Sequence, residues 1–351
     1  MPEKRIGLLK SIAIISSMLL ASGACFSEPA DEEKWLALFN GKDLNDWTPK
    51  IRRHPAGVNY LNTFRVDDGL FTVSYDGYGD FDAQFGHIFY KDSFSHYRLL
   101  VEYRFTGEQA LNAPEWANRN SGVMVHSQAP ETMPPDQDFP ISLEVQFLGG
   151  LSDGNPRPTG NMCSPGTHIE YQGEFTETHC INSTSPTFDG DQWVVAEALV
   201  LGADKIVHYI NGEAVIEYGN TTFGGGVVSG HRPEMKPEGE PLGEGYISLQ
   251  SEGHPIQFRR VELLNLKGCM DPQAINYKSY FVAGDRESCR YLTQLIDSAS
   301  LSRAHRERRR GSSSPQCPAN RPISTVVLTQ VLLQTNQLTK VKAAEICGSF
   351  A

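Results

Sequence analysis

The stretch Ile141-Ser142-Leu143-Glu144-Val145-Gln146-Phe147 alternates apolar and polar residues with a period of two. A β-strand sends successive side chains to opposite faces. Leu143, Val145 and Phe147 are therefore expected in a core, while Ser142, Glu144 and Gln146 share the other face. Strand-like runs of the same kind recur at Thr63–Val66, Leu70–Ser74, Gly86–Tyr90, Tyr97–Phe105, Gly122–Ser127, Trp193–Leu201, Lys205–Ile210, Glu213–Tyr218, Tyr246–Ser251 and Ile256–Leu266. Clusters of Gly, Asn, Asp and Pro separate them. Asp67-Asp68-Gly69 and Asn211-Gly212 read as hairpin turns, because Asn, Asp and Gly accept positive φ. Hardly any stretch keeps a helical period over ten residues. The pattern predicts one all-β domain, a large antiparallel sandwich over residues 34–267. Polar segments at 107–120, 128–140, 149–192 and 219–244 read as long loops of the kind that build a ligand-binding rim.

The chain of 351 residues is 39% hydrophobic and 21% charged, which is enough for a substantial core. Its formal charge of −11 excludes a nucleic-acid surface as the main activity. Residues 1–24 read as a signal peptide: Lys4 and Arg5, a short apolar run from Ile12 to Leu20, then small residues. Export to the periplasm or cell surface is the expectation. Residues 25–33 form a polar tether. Cys25 stands where a bacterial lipid anchor to the outer membrane would be attached. Seven cysteines in an exported chain are expected to pair, and proximity gives Cys163–Cys180, Cys269–Cys289 and Cys317–Cys347, with Cys25 left over. Residues 268–292 form a separate Cys-rich module that a Cys269–Cys289 disulfide would staple. Asp271, Asn276 and Asp285 within it read as solvated turn residues, with calcium binding as the alternative. Residues 293–351, with a basic run from Arg303 to Arg310, receive no functional reading.

Several polar side chains stand out. Glu144 beside Gln146 on one sheet face is a carboxylate–amide pair suited to a sugar. Along Asn120-Ser121-Gly122-Val123-Met124-Val125-His126, alternation sends Val123 and Val125 one way and Gly122, Met124 and His126 the other. His126 is thereby expected to reach Glu144 as proton donor or metal ligand. In Tyr246-Ile247-Ser248-Leu249-Gln250, Gln250 joins the polar side.

Four segments in this order and spacing, Leu38–Trp47, Asn120–His126, Leu143–Phe147 and Gly245–Gly253, resemble the 3-keto-disaccharide hydrolase family, whose fold is the concanavalin A-like β-sandwich or jelly roll. The resemblance implies a carbohydrate substrate and makes Arg119, Asn120, Gln146 and Gln250 candidate substrate contacts. His168, in the Cys-containing loop Cys163–His168, is a further candidate. Laminarinase-like relatives of that fold carry several acids on one strand. Here no second acid follows Glu144-x-Gln146, which disfavours an ordinary two-carboxylate glycosidase. A 3-keto sugar needs only one base, because its ketone acidifies the hydrogen on C2. Glu144 as base, His126 as proton donor and Arg119 or Asn120 as clamp would achieve elimination of the C1 substituent, then hydration, with a divalent metal as a candidate cofactor. Two rivals remain: a carbohydrate-binding protein without catalysis, and a cell-surface interaction module.

Overall fold

The computed structural model describes residues 32–293. The signal segment, the Cys25 anchor, the tether before Glu32, the Cys317–Cys347 pair and the tail from residue 294 lie outside the described residues.

Strand alternation is realised as two antiparallel sheets packed on one another, the concanavalin A-like sandwich. One sheet has ten strands and the other seven among the described residues. In the larger sheet the strands His96–Phe105, Val194–Leu201, Lys205–Ile210 and Ile256–Asn265 lie side by side. The smaller sheet runs in the order Cys180–Ile181, Asn161–Cys163, Leu143–Leu148, Asn120–Ser127, Gly245–Ser251, Gly86–Phe94 and Trp47–Ile51. The core is formed by their facing apolar rows, among them Leu99, Val101, Phe258 and Val261 from one sheet and Val123, Val145, Phe147 and Leu249 from the other. Tyr103 stacks on Phe147 across the interface at 4.1 Å, and the Trp47 ring meets Phe71 edge-on at 5.4 Å. Leu143, Val145 and Phe147 enter this core as the alternation requires.

Both hairpin signals hold. Asp68 and Gly69 take φ of 51° and 77°, and Asn211 and Gly212 take 49° and 88°. Arg259 pairs with Glu102 on the outer side of the larger sheet. The segment 149–192 departs from the loop expectation. It contributes Asn161–Cys163, Thr167–Tyr171, Glu174–Thr176 and Cys180–Ile181. These strands are too short to show a period in sequence.

The C-terminal module is stapled by Cys269–Cys289. Asp271 accepts hydrogen bonds from Tyr291 Oη and the Gln273 amide, at 2.7 and 2.9 Å. Asn276 bonds the Ser288 carbonyl and the Arg290 amide, at 2.8 and 2.9 Å, and Asp285 caps the amides of Glu287 and Ser288. These groups serve their own turns.

The second face of the seven-stranded sheet positions the site. Directly paired residues share a face, so Lys50, His87, Gln146 and Asn161 lie in one lateral row with Gly122, and Phe89, Ser248, Met124, Glu144 and Cys163 in the next. This face is polar yet roofed. Lys50 Nζ donates to the Pro135 carbonyl at 3.2 Å, and the His87 ring meets Phe139 at 5.9 Å. Segment 128–140 thus lies over the strands.

Candidate functional site

A cleft of about 290 Å³ opens on this roofed face. Glu144, Gln146, Asn120 and Glu252 supply its polar lining. Trp116, Phe139, Pro165 and Val227 supply apolar walls, and Cys163, Cys180 and His179 close one side.

Glu144 is placed by the strand Leu143–Leu148 and paired across it with Met124 on one side and Cys163 on the other. Its side chain lies across Gly122. A Cβ built there would come within 2.9 Å of Glu144 Cγ and 3.0 Å of its Cδ. A side chain at residue 122 would therefore force Glu144 out of its present position. Glu144 is only 6% exposed and its Oε1 has no protein partner. Burial raises its pKa from the ordinary carboxylate range to about 8.

The second carboxylate is Glu252. It follows the last residue of the strand Gly245–Ser251, at a turn where Gly253 has φ of 106° and donates its amide to Tyr75 Oη at 2.7 Å. Glu252 is 4% exposed, and its Oε2 lacks a partner. Burial, and then repulsion from Glu144, push its pKa well above the ordinary range. Two buried acids that repel one another ionise in sequence rather than together. The strand Leu143–Leu148 carries no acid besides Glu144, as its sequence reads; the second carboxylate of the cleft comes from the end of the strand Gly245–Ser251, which lies beyond the intervening strand Asn120–Ser127.

The amides complete the polar wall. Gln146 Oε1 accepts from Asn161 Nδ2 at 3.0 Å, which leaves Gln146 Nε2 as a donor. Asn120 Nδ2 reaches the Trp116 carbonyl at 3.4 Å, and its Oδ1 is unpartnered. Gln250 is buried beside the cleft in the row between His87 and Gly122, its Oε1 also unpartnered. A buried polar atom without a partner costs about 1–3 kcal/mol. Such a concentration on one face marks a surface built for a polar ligand.

Four expected site residues do not line this cleft: Gln250, which lies beside it, and His126, Arg119 and His168. His126 has φ of 50° and sits in a β-bulge where Val125 and His126 together oppose Ile247. The extra residue turns its ring away from the Glu144 side. Its Nε2 bonds the Gly202 carbonyl at 3.0 Å, near the Tyr97 ring of the other sheet. Burial lowers its pKa to about 4, so it is neutral at pH 7. It neither donates a proton in the cleft nor joins Glu144 as a metal ligand. Arg119, with φ of 49°, stacks on Phe105 at 5.4 Å, donates to the Gly190 carbonyl and pairs with Asp191 at 3.5 Å. It braces the 149–191 segment behind Asn120 instead of clamping a ligand. His168 lies on the strand Thr167–Tyr171, against Phe175 at 5.0 Å.

Glu252, His179 and Trp116 are cleft residues the sequence reading passed over. The Cys163–Cys180 disulfide formed as expected and carries His179 to the rim. The atoms of Cys163, His179 and Cys180 lie within 4.8 Å of one another, but the disulfide consumes both sulfurs as metal donors.

If Glu144 works as a base it must first lose its proton. We therefore expect kcat/KM to fall about tenfold per pH unit below an apparent pKa near 8 and to level off above it. A pH–rate profile checks this; an activity flat between pH 5 and 8 would remove Glu144 from that role.

Among solved structures, a candidate glycosyl hydrolase from Parabacteroides distasonis aligns at 19% identity and a TM-score of 0.40, over 66% of this chain and 100% of its own. A second from the same organism aligns at 16% identity and 0.41, over 66% and 94%. The carbohydrate-binding module CBM66 of Bacillus subtilis aligns at 10% identity and 0.32, over 67% and 98%. No curated protein matches the sequence. The 3-keto-alpha-glucoside-1,2-lyase-like domain matches across residues 34–264, the whole span of the sandwich. The chain belongs to this carbohydrate-acting family.

Proposed function

We propose that this protein is an exported enzyme that cleaves the glycosidic bond of 3-keto-glycosides. The observation that carries the reading is a pair of buried carboxyl groups, Glu144 and Glu252, facing one cleft with pKa values raised by burial. The ketone at C3 acidifies the hydrogen on C2. Glu144 takes that proton, and the electron pair moves into an enolate whose oxygen receives the Gln146 Nε2–H. The enolate then expels the C1 substituent: the C1–O bond breaks, a C1=C2 double bond forms, and the ketone returns. Glu252, whose proton burial and the nearby Glu144 charge help to retain, protonates the departing oxygen. Water adds across the double bond, giving net hydrolysis.

Export fits the two disulfides, since such bonds persist in oxidising compartments. Anchoring through Cys25 belongs to the same reading.

The carboxyl pair also favours a second reading, direct hydrolysis of an unoxidised glycoside by two acids. Product analysis in D2O separates them. A 3-keto-glucoside should be consumed, its unoxidised parent should not, and the released 3-keto sugar should carry deuterium on C2. Cleavage of the unoxidised parent without deuterium at C2 would establish the second reading and sink the first.

A further inference from the structure

The polar groups of the cleft lean in two directions. Glu144 lies over Gly122, away from the strand Asn161–Cys163. Gln146 leans toward that strand, where its Oε1 accepts from Asn161 Nδ2 at 3.0 Å. At the far end of the same strand, Cys163 is bonded to Cys180, its direct cross-strand partner. A ring nitrogen of His179 lies within 4.8 Å of both sulfurs. Among the described residues, His179 is the one imidazole that lines the cleft. It stands on the side toward which Gln146 leans. The chemistry above gives it no role.

His179 is firmly mounted. Its carbonyl accepts from the Ser164 amide at 2.8 Å and from Ser164 Oγ at 3.2 Å. The strand that follows it, Cys180–Ile181, has two residues and forms the edge of the sheet. So short an edge makes few ladder bonds, and the disulfide adds a covalent tie to Asn161–Cys163. The imidazole is half-buried, and its Nδ1 has no protein partner. Burial lowers its pKa below the ordinary 6.5. The ring is therefore neutral at pH 7 and keeps one N–H to donate.

Charge that develops on the C3 oxygen is stabilised by preorganised N–H donors in a site poor in water. The Gln146 amide is one such donor, and an oxygen of this kind accepts more than one hydrogen bond. We propose that His179 is the second, so that Gln146 and His179 together form the oxyanion site for the C3 oxygen, with the Cys163–Cys180 disulfide holding the imidazole in place. The imidazole donates a hydrogen bond and keeps its proton, so the bonds that form and break are those of the elimination alone. The inference rests on the sugar-cleaving reading of the same cleft and adds a residue to it.

The test uses the full chain and a 3-keto-glucoside. His179→Ala should lower kcat about 10²-fold with little change in KM. His179→Gln, which keeps an N–H donor, should recover part of that loss. If His179→Ala does not fold, His179→Phe, which fills the space without a donor, takes its place. Cys163→Ala/Cys180→Ala should lower kcat by a similar factor, and adding His179→Ala to it should cost little more. Full turnover by His179→Ala, or a loss confined to KM, would overturn the proposal and leave the sugar-cleaving reading standing. Additive losses in the triple variant would overturn the role of the disulfide as the mount. No turnover by the unsubstituted chain would overturn both readings.

Discussion

Glu144→Gln is expected to lower kcat on a 3-keto-glycoside by roughly 10²–10⁴-fold and, at the same time, to raise the melting temperature at alkaline pH. The two effects share one cause. The carboxyl is held in a site that disfavours its charge, and its pKa moves from 4.5 to about 8. Between those values the folded chain holds a proton that the unfolded chain has released. Stability therefore falls as pH rises from about 4.5 through 8. Glutamine has the same shape, carries no such proton and does not pay this cost. The variant should match the parent near pH 4 and exceed it by about 3 °C or more at pH 8.5. Calorimetry at the two pH values, beside product analysis, checks both halves. A variant that keeps full turnover, or melts earlier at pH 8.5, contradicts the assignment.

Gly122→Ala should be nearly as damaging to turnover, by a route that involves no change of charge. The new methyl group would meet Glu144 Cγ at 2.9 Å and Cδ at 3.0 Å, below ordinary contact distance. Either the acid rotates out of the cleft or the two strands separate. Overpacking of this kind costs about 1–3 kcal/mol of stability. Displacing a base by about 1 Å costs about 10²-fold in rate. The loss should fall on kcat more than on KM, because the apolar wall stays in place. The pair of single variants and the double variant Gly122→Ala/Glu144→Gln form a cycle. Once glutamine has removed the base, the alanine should cost little further activity. Additive losses would show that Gly122 acts elsewhere.

Long alternating strands made the sandwich legible, and so did hairpin turns that need positive φ, as at Asp68-Gly69 and Asn211-Gly212. Strands of two or three residues, such as Cys180–Ile181 and Asn161–Cys163, carry no readable period, yet they form the cleft edge. Glu144 and Gln146 were placed by the same alternation, Asn120 by the family resemblance, and all three share the cleft. His126 was misplaced because alternation counts residues one by one, and a single bulge reverses the count beyond it. Nothing in Val125-His126-Ser127 announces that bulge. Glu252 was hidden for another reason. It lies one residue past the end of its strand, where the chain turns at Gly253, so no periodic rule assigns it a side. An acid directly before such a glycine is the only local clue.

The recess that Gly122 leaves beneath Glu144 has an evolutionary corollary. Backbone and acid occupy one shared volume, so the two positions can change only in concert. A homologue that gains a side chain at the first must shorten or surrender the carboxylate at the second. Joint inheritance of this glycine and this glutamate would therefore distinguish chains that keep the chemistry from those that keep only the scaffold.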